Sequence, residues 1–231
     1  MLAYVTVHSR VSNLRTNGEP KVNVAQVDEN GLRKLMNDAG INTTTIARTL
    51  ALFAAQPGGR GQTNRPAVTN NSVLQFYIRS GLRAEEFQLI ENDISVTTNK
   101  TVEGLVNINT ATATVLGCLP GLDADNKAAT LAATRAGQTT QNSIAWVKDA
   151  LSKDDAEKLG PYITGRSDVY SADIAALGHY GRGYQRVKFI FDSSDGWPAA
   201  PKIRQRQDLT HLGWALGQSV RRQLAEVRNQ P

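Results

Sequence analysis

Few residues in this chain are spaced to do chemistry. The three histidines, His8, His179 and His211, lie in three separated segments, and none stands beside a nucleophile motif. No Gly-x-Ser-x-Gly, His-Glu-x-x-His or phosphate-loop sequence occurs. Gly178-His179-Tyr180-Gly181-Arg182-Gly183 has the glycine content of a nucleotide loop. It falls between two predicted strands rather than between a strand and a helix, so it reads as a flexible hairpin turn. The single cysteine, Cys118, excludes an intrachain disulfide and a Cys-built zinc site. Its apolar, helical surroundings predict a buried, inert thiol. Trp146, Trp197 and Trp214 read as core or contact residues. One run holds closely spaced hard oxygens, Asp192-Ser193-Ser194-Asp195-Gly196; Asp, Ser and Gly are ordinary turn formers, so it reads first as a solvated β-turn. These residues compose no active site, and an enzymatic role is not expected.

The elements that carry them alternate in kind along the 231 residues, a length that holds one large domain or two small ones. Ala3, Val5 and Val7 alternate with Tyr4, Thr6 and His8, the period of a strand, and Asn17-Gly18-Glu19-Pro20 is a turn signal. From Asp28 to about Phe53 the apolar residues Leu32, Leu35, Met36, Ile46, Leu50 and Phe53 fall at helical spacing, broken into two helices at Asn37-Asp38-Ala39-Gly40. Residues 57–72 are polar and Gly-rich and read as a mobile loop; Ser72 then caps a helix to about Arg79, and another starts at Gly81. A helix enters at Thr112, and two or three more lie between Ala124 and Leu159. After Pro161 the pattern returns to strands, at 168–177, 184–191 and, as an edge, 202–208. No apolar run approaches the 18 residues of a membrane span, and the first residues lack the basic and apolar regions of a signal peptide.

Net charge is +5, but it is unevenly spread. Residues 1–83 carry ten Lys/Arg against four Asp/Glu, residues 84–160 six against eleven, and residues 161–231 ten against six. An acidic middle opposes binding to a polyanion such as DNA.

Two segments echo each other 84 positions apart. Val22-Asn23-Val24 matches Val106-Asn107-Ile108, Leu32 matches Leu116, and Leu35 matches Leu119. Each copy reaches a Gly-apolar pair, Gly40-Ile41 or Gly121-Leu122, and continues into a helix carrying Arg48 or Arg135. This is the pattern of a helix–hairpin–helix unit. Asn109 or Thr110 is expected to cap the helix of the second copy, Leu116 and Leu119 to face its partner helix, and Pro120-Gly121 to turn the chain. In hairpins that bind DNA the turn presents backbone N–H groups through Gly-apolar-Gly. Here Asp123 holds the second glycine position, and its carboxylate repels phosphate.

Several segments taken in order resemble the periplasmic part of the minor pseudopilin K family of type II (general) secretion systems. They are Tyr4 to Arg10, Asn17 to Val24, Phe76 to Leu82, Gly104 to Leu122, Ser143 to Val147 and Gly160 to Ser167, followed by the strands; the resemblance covers most of residues 2–217. It implies an α+β fold, a pilin-like antiparallel sheet with a large inserted helical domain containing two helix–hairpin–helix-like repeats. The expected parts are a first strand region at 1–24, the helical insertion at 25–160 with repeats near 22–55 and 106–136, C-terminal strands at 161–217, and a polar tail at 218–231. Residues 2–10 should pair into the sheet of residues 168–208, leaving the helices as one lobe.

The implied role is that of a structural subunit at the tip of the pseudopilus, acting in its assembly and in protein export. It would stand at the periplasmic face of the bacterial inner membrane, with the I- and J-type minor pseudopilins and the pseudopilus as partners and no nucleic acid. Family members begin with a prepilin leader and a membrane-spanning helix, so contact with the membrane would be through an N-terminal helix missing here. A basic leader and about 20 apolar residues are expected upstream of Met1. Some relatives bind calcium, which makes Asp192 and Asp195 the metal candidates, in a loop too short for a full EF-hand; Glu91 and Asp93 are weaker ones. The alternatives are a tandem helix–hairpin–helix protein that binds nucleic acid through the basic first copy, with Arg33, Lys34 and Arg48, and a calcium-dependent extracellular binding module.

Overall fold

The structure, a computed structural model, describes residues 8–54, 68–122, 126–137, 142–178, 183–196 and 199–213. It is mixed α and β with small sheets, compatible with the α+β class. The chain divides into two compact units, one ending at Ser167 and one beginning at Asp168. Among the described residues no helix is long and apolar enough to cross a membrane.

The first unit is helical, and local chemistry sets its element ends. Helices α1 (Glu29–Asp38) and α2 (Thr43–Phe53) are separated by Gly40, whose φ of +75° is left-handed backbone that a residue with a Cβ adopts at a cost. Asn42 caps α2 by accepting from the Thr44 N–H, and Ser72 caps α3 (Val73–Ser80) by accepting from that of Gln75. Helix α4 (Ala84–Ile90) opens with the Glu86 carboxylate turned back onto the Arg83 N–H, 3.0 Å away. Ser152 caps α8 (Lys153–Leu159) in the same manner as Ser72, and before it come α5 (Ala113–Leu116), α6 (Lys127–Arg135) and α7 (Val147–Ala150). One apolar core joins these helices. Within it the Phe53 and Phe76 rings stack at 5.1 Å and those of Tyr77 and Phe87 at 4.2 Å.

Short strands close the helices into two modules. In the first, β2 (Val22–Asn23) pairs in parallel with β3 (Ile94–Ser95); in the second, β5 (Val106–Asn107) pairs in parallel with β6 (Ile163–Thr164). Backbone bonds at the two stems are alike as well. Val24 N–H donates to the Ser95 carbonyl at 2.8 Å and Ile108 N–H to that of Thr164 at 3.0 Å. Asn23 Oδ1 accepts from the Ala25 N–H, and Asn107 Oδ1 from that of Asn109. After each exit strand the hydroxyl of Ser95 or Thr164 accepts from the N–H two residues on. Gly121 has φ +86°, left-handed like Gly40, and the following Leu122 is buried like Ile41.

Two expectations are corrected here. The cap of α5 is Thr112, which accepts from the Val115 N–H, and not Asn109 or Thr110. Asn109 is unavailable as a cap because its amide is bonded across the unit. Cys118 is exposed rather than buried, since α5 ends at Leu116 and the chain goes on in tight turns that swing the thiol outward. Of the expected first strand at residues 2–10, only the last residues are described. Residues 2–7 lie outside the described residues, and β1 (Arg10–Ser12) pairs antiparallel with β4 (Thr101–Glu103), Arg10 opposite Glu103. The basic side chain of Arg10 thereby meets the carboxylate of Glu103 at 3.4 Å. The expected loop at 57–72 falls largely outside the described residues, as do Asp123, His179, Trp197, Trp214 and the tail at 218–231.

The second unit is a three-stranded antiparallel sheet in the order β7 (Val169–Leu177), β8 (Tyr184–Asp192), β9 (Lys202–Asp208). β7 and β8 pair without interruption from Val169 opposite Asp192 to Leu177 opposite Tyr184. A bulge at Ile190/Phe191 interrupts the register of β8 with β9. Alternation divides the sheet into an apolar face, with Tyr170, Ala172, Ile174, Val187, Phe189 and Phe191, and a polar one, where Arg186 grips both carboxylate oxygens of Asp173 at 2.9 and 2.6 Å.

Candidate functional site

The expected calcium candidates sit at the end of β8. Asp192 is 4 % exposed; its Oδ1 accepts from the Ser194 N–H at 2.8 Å, and its Oδ2 from Arg204 at 2.7–2.8 Å. Burial pushes the Asp192 carboxyl up, but the Ser194 bonds and Arg204 outweigh it and hold it well below the ordinary carboxylate range. Asp195 pairs with Lys202 at 2.5 Å. Gly196, with φ +73°, completes a turn closed by its N–H on the Ser193 carbonyl. Each candidate carboxylate thus faces a cation of the chain itself, and a calcium ion would compete with Arg204 and Lys202 for them. Among the described residues no three His, Cys, Asp or Glu side chains converge as metal ligands, either at the turn or around Glu91 and Asp93.

Basic residues of the expected first repeat are also engaged. Arg33 pairs with Glu29 at 2.7 Å, and Arg48 donates to the Gly81 carbonyl at 2.9 Å, while Lys34 is exposed. Two of the three cations that would meet a phosphate backbone therefore already have partners. His211 is exposed in the turn after β9.

A different cluster, at the junction of the two modules, draws together residues from distant parts of the chain. Glu91 follows α4 and accepts from Ser143 Oγ at 2.6 Å and from the Ile144 N–H at 2.9 Å, which ties the end of the first module to the second. Asn109 donates to the carbonyls of Ser143 (3.3 Å) and Gly165 (2.7 Å) and accepts from the Trp146 indole N–H (3.1 Å). Gly165 is needed there, because a Cβ would lie 2.7 Å from the Asn142 carbonyl oxygen and 3.2 Å from Glu91. Helix α3 adds a polar clasp, with Gln75 and Arg79 both donating to Glu157. Desolvation pushes the Glu91 carboxyl up to about 7, against the opposing pull of its bonds from Ser143 and Ile144 and of the Lys21 and Arg166 charges.

A small cavity of about 90 Å³ borders Glu91, Lys21 and Arg166, and a more open one of about 610 Å³ lies alongside, walled by Asn71, Thr97, Lys100, Val102 and Pro161 among others. Ser143 meets a carboxylate directly, without an imidazole between them, so the pair lacks the base that activates a serine nucleophile. The cluster's chemistry is that of a lock: it satisfies buried polar groups and fixes one module against the other. In the sequence Asn109 reads as a helix cap and Glu91 as a weak metal ligand; the signal that bears on each is a polar residue set beside apolar ones, Ile108 or Ile90, that become core. No protein-family model matches the chain, and no curated protein matches it.

Proposed function

We propose that this chain is a structural minor pseudopilin at the tip of a type II secretion pseudopilus, acting in pseudopilus assembly and protein export at the periplasmic face of the bacterial inner membrane. The observation that carries the reading is the order of parts: a helical unit followed by a separate antiparallel three-stranded sheet. That order suits a pilin-like sheet enlarged by a helical insertion. In this role the side chains do no catalysis; the surfaces do the work by meeting neighbouring subunits, and the bulk of the helical unit stops a further identical subunit from stacking above it. The Glu91–Ser143 and Asn109–Trp146 bonds hold that bulk rigid.

The test is co-purification of the soluble chain with the soluble domains of the I- and J-type minor pseudopilins of its own system, with mass read by light scattering. A discrete complex holding one copy of each is expected. Homopolymeric filaments, or no association when all three are folded, would defeat the tip reading.

The second reading, nucleic-acid binding, draws on the two helical hairpins with their left-handed glycines. The engagement of Arg33 and Arg48 and the acidic middle segment weigh against it. Retardation of duplex DNA at low salt should therefore vanish near physiological ionic strength, as weak counterion-release binding does. Binding tighter than about 1 μM at about 150 mM salt would reinstate this reading, since non-specific association is weaker than that.

A further inference from the structure

The dipeptide Asn-Gly occurs twice in the chain, at Asn17-Gly18 and at Asn30-Gly31. In this pair the asparagine side chain is open to attack by the next backbone nitrogen, because glycine puts no Cβ in the way. Both asparagines are exposed, so access of solvent does not separate them. Their backbones do.

Asn17 stands in a tight loop above the bridge between Leu14 and Pro20. The Arg15 N–H donates to the Glu19 carbonyl at 2.8 Å, the Gly18 N–H donates to the Arg15 carbonyl at 2.9 Å, and Gly18 has φ +85°. The Asn17 side chain folds forward: its Oδ1 accepts from the Glu19 N–H at 3.0 Å, and its Nδ2 donates to the Glu19 carboxylate at 2.9 Å. Bonded two residues ahead, it spans the intervening Gly18 nitrogen. The donor on Oδ1 also stabilises the charge that builds on that oxygen when its carbonyl is attacked. Asn30, by contrast, lies inside α1. On a helix the Cα–Cβ bond tilts toward the N-terminus, away from the nitrogen of the next residue. The Asp28 carboxylate crowds Gly31 as well, and its charge opposes loss of a proton there.

We propose that Asn17 is a site of spontaneous deamidation and that α1 protects Asn30 from the same reaction. Solvent hydroxide takes the Gly18 N–H proton, which releases the bond to the Arg15 carbonyl, and the nitrogen attacks Asn17 Cγ. A bond forms between Cγ and the Gly18 nitrogen, the bond from Cγ to Nδ2 breaks, and Nδ2 leaves as ammonia with a proton from water. The resulting succinimide adds water at either of its carbonyls and opens to aspartate or isoaspartate at position 17; nothing is oxidised or reduced. Either product sets a new carboxylate beside that of Glu19, where the amide had donated, and like charges repel. The Arg15 guanidinium, 3.5 Å from the Glu19 carboxylate, is the cation placed to meet the added charge. Isoaspartate also adds a backbone carbon to the loop above the Leu14–Pro20 bridge.

Incubation of the full chain at neutral and mildly alkaline pH, followed by peptide mapping that separates isoaspartate from aspartate, tests this. The same chain in denaturant gives the rate of each asparagine without structure. In the folded chain Asn17 should react within about tenfold of its denatured rate and at least about tenfold faster than Asn30, a barrier difference of about 1.4 kcal/mol or more. Both products should appear at position 17, and the rate should rise with pH. Asn17→Gln, whose longer side chain would have to close a six-membered ring, should leave position 17 unmodified over the same period. Slowing of Asn17 beyond about tenfold by folding, or a smaller margin than that over Asn30, would overturn the proposal. Aspartate without isoaspartate would overturn it too, because direct hydrolysis of the amide yields aspartate alone. None of these results involves a partner of the chain, so failure here leaves the pseudopilin reading standing, and failure of that reading leaves this proposal standing.

Discussion

Phe76→Ala is expected to destabilise the helical unit by about 3–5 kcal/mol, the range for truncating a fully buried aromatic side chain. Phe76 has no exposed surface, lies in α3 and stacks on Phe53 of α2, so its removal leaves a void where the two helices meet. Helix α3 also packs against α8 of the second module, which limits how far the walls can collapse inward. Urea unfolding followed by the far-ultraviolet helical signal measures the effect, because all the described α-helices belong to the first unit. The midpoint should fall by about 1–3 M for a slope of typical size. Ile174→Ala, at a half-exposed position in the sheet, should leave that helical transition within about 0.5 kcal/mol of the unsubstituted chain. A cost below about 1 kcal/mol for Phe76→Ala would contradict the packing described for α2 and α3.

A pH dependence of opposite sense to ordinary acid denaturation should come from Glu91. Burial raises its carboxyl from the ordinary 4.5 to about 7. The unfolded chain releases this proton near 4.5, whereas the folded chain holds it until about 7. Between these values the native state carries the extra proton, and stability falls as pH rises through the window. Near pH 4.5 the contribution is whole, and above 7 it has been lost, by about 3 kcal/mol at most. Carboxyls held below their ordinary values, Asp192, Asp155 and Asp173 among them, lose their contributions only as pH falls beneath about 4, outside this window. Glu91→Gln should flatten the slope between pH 4.5 and 7 while leaving the acid limb unchanged. Denaturant titrations at four pH values across the window, on both chains, would reveal it; parallel slopes for the two would sink the assignment.

Local signals in the sequence were reliable where the responsible chemistry is itself local. The break at Gly40, the Ser72 cap and the strands at 169–177, 184–192 and 202–208 each depend on periodicity or turn chemistry within a few residues. Recurrence of Val-Asn-Val as Val-Asn-Ile marked two related entries, yet not the partners of those entries. Ile94-Ser95 and Ile163-Thr164 lie far along the chain and share only an apolar residue before a hydroxyl. The junction was illegible for the same reason. Glu91 meets Ser143 across 52 positions, and Asn109 meets Gly165 across 56, so nothing near either polar residue announces its partner. The two aspartates of the 192–196 turn read alike in sequence, but Arg204 and burial make one a structural anchor, while the other reaches Lys202 at the surface.

The parallel bridges give each module a stem. Val22 and Ile94 stand side by side, as do Val106 and Ile163, at about the 4.8 Å spacing of neighbouring strands. Everything between them enters and leaves through one place, so a module is a cassette closed at its stem and held to its neighbour by the shared apolar core and the Glu91–Ser143 bond. The stems enclose loops of unequal length, yet closing the longer one costs only about 0.2 kcal/mol more in chain entropy, because that cost grows with the logarithm of length. Residues gained or lost inside a cassette are therefore nearly neutral for closure, whereas a change at Val22, Ile94, Val106 or Ile163 opens the whole circuit. Evolutionary variation in such a chain should accumulate in insert length while the four stem residues stay apolar.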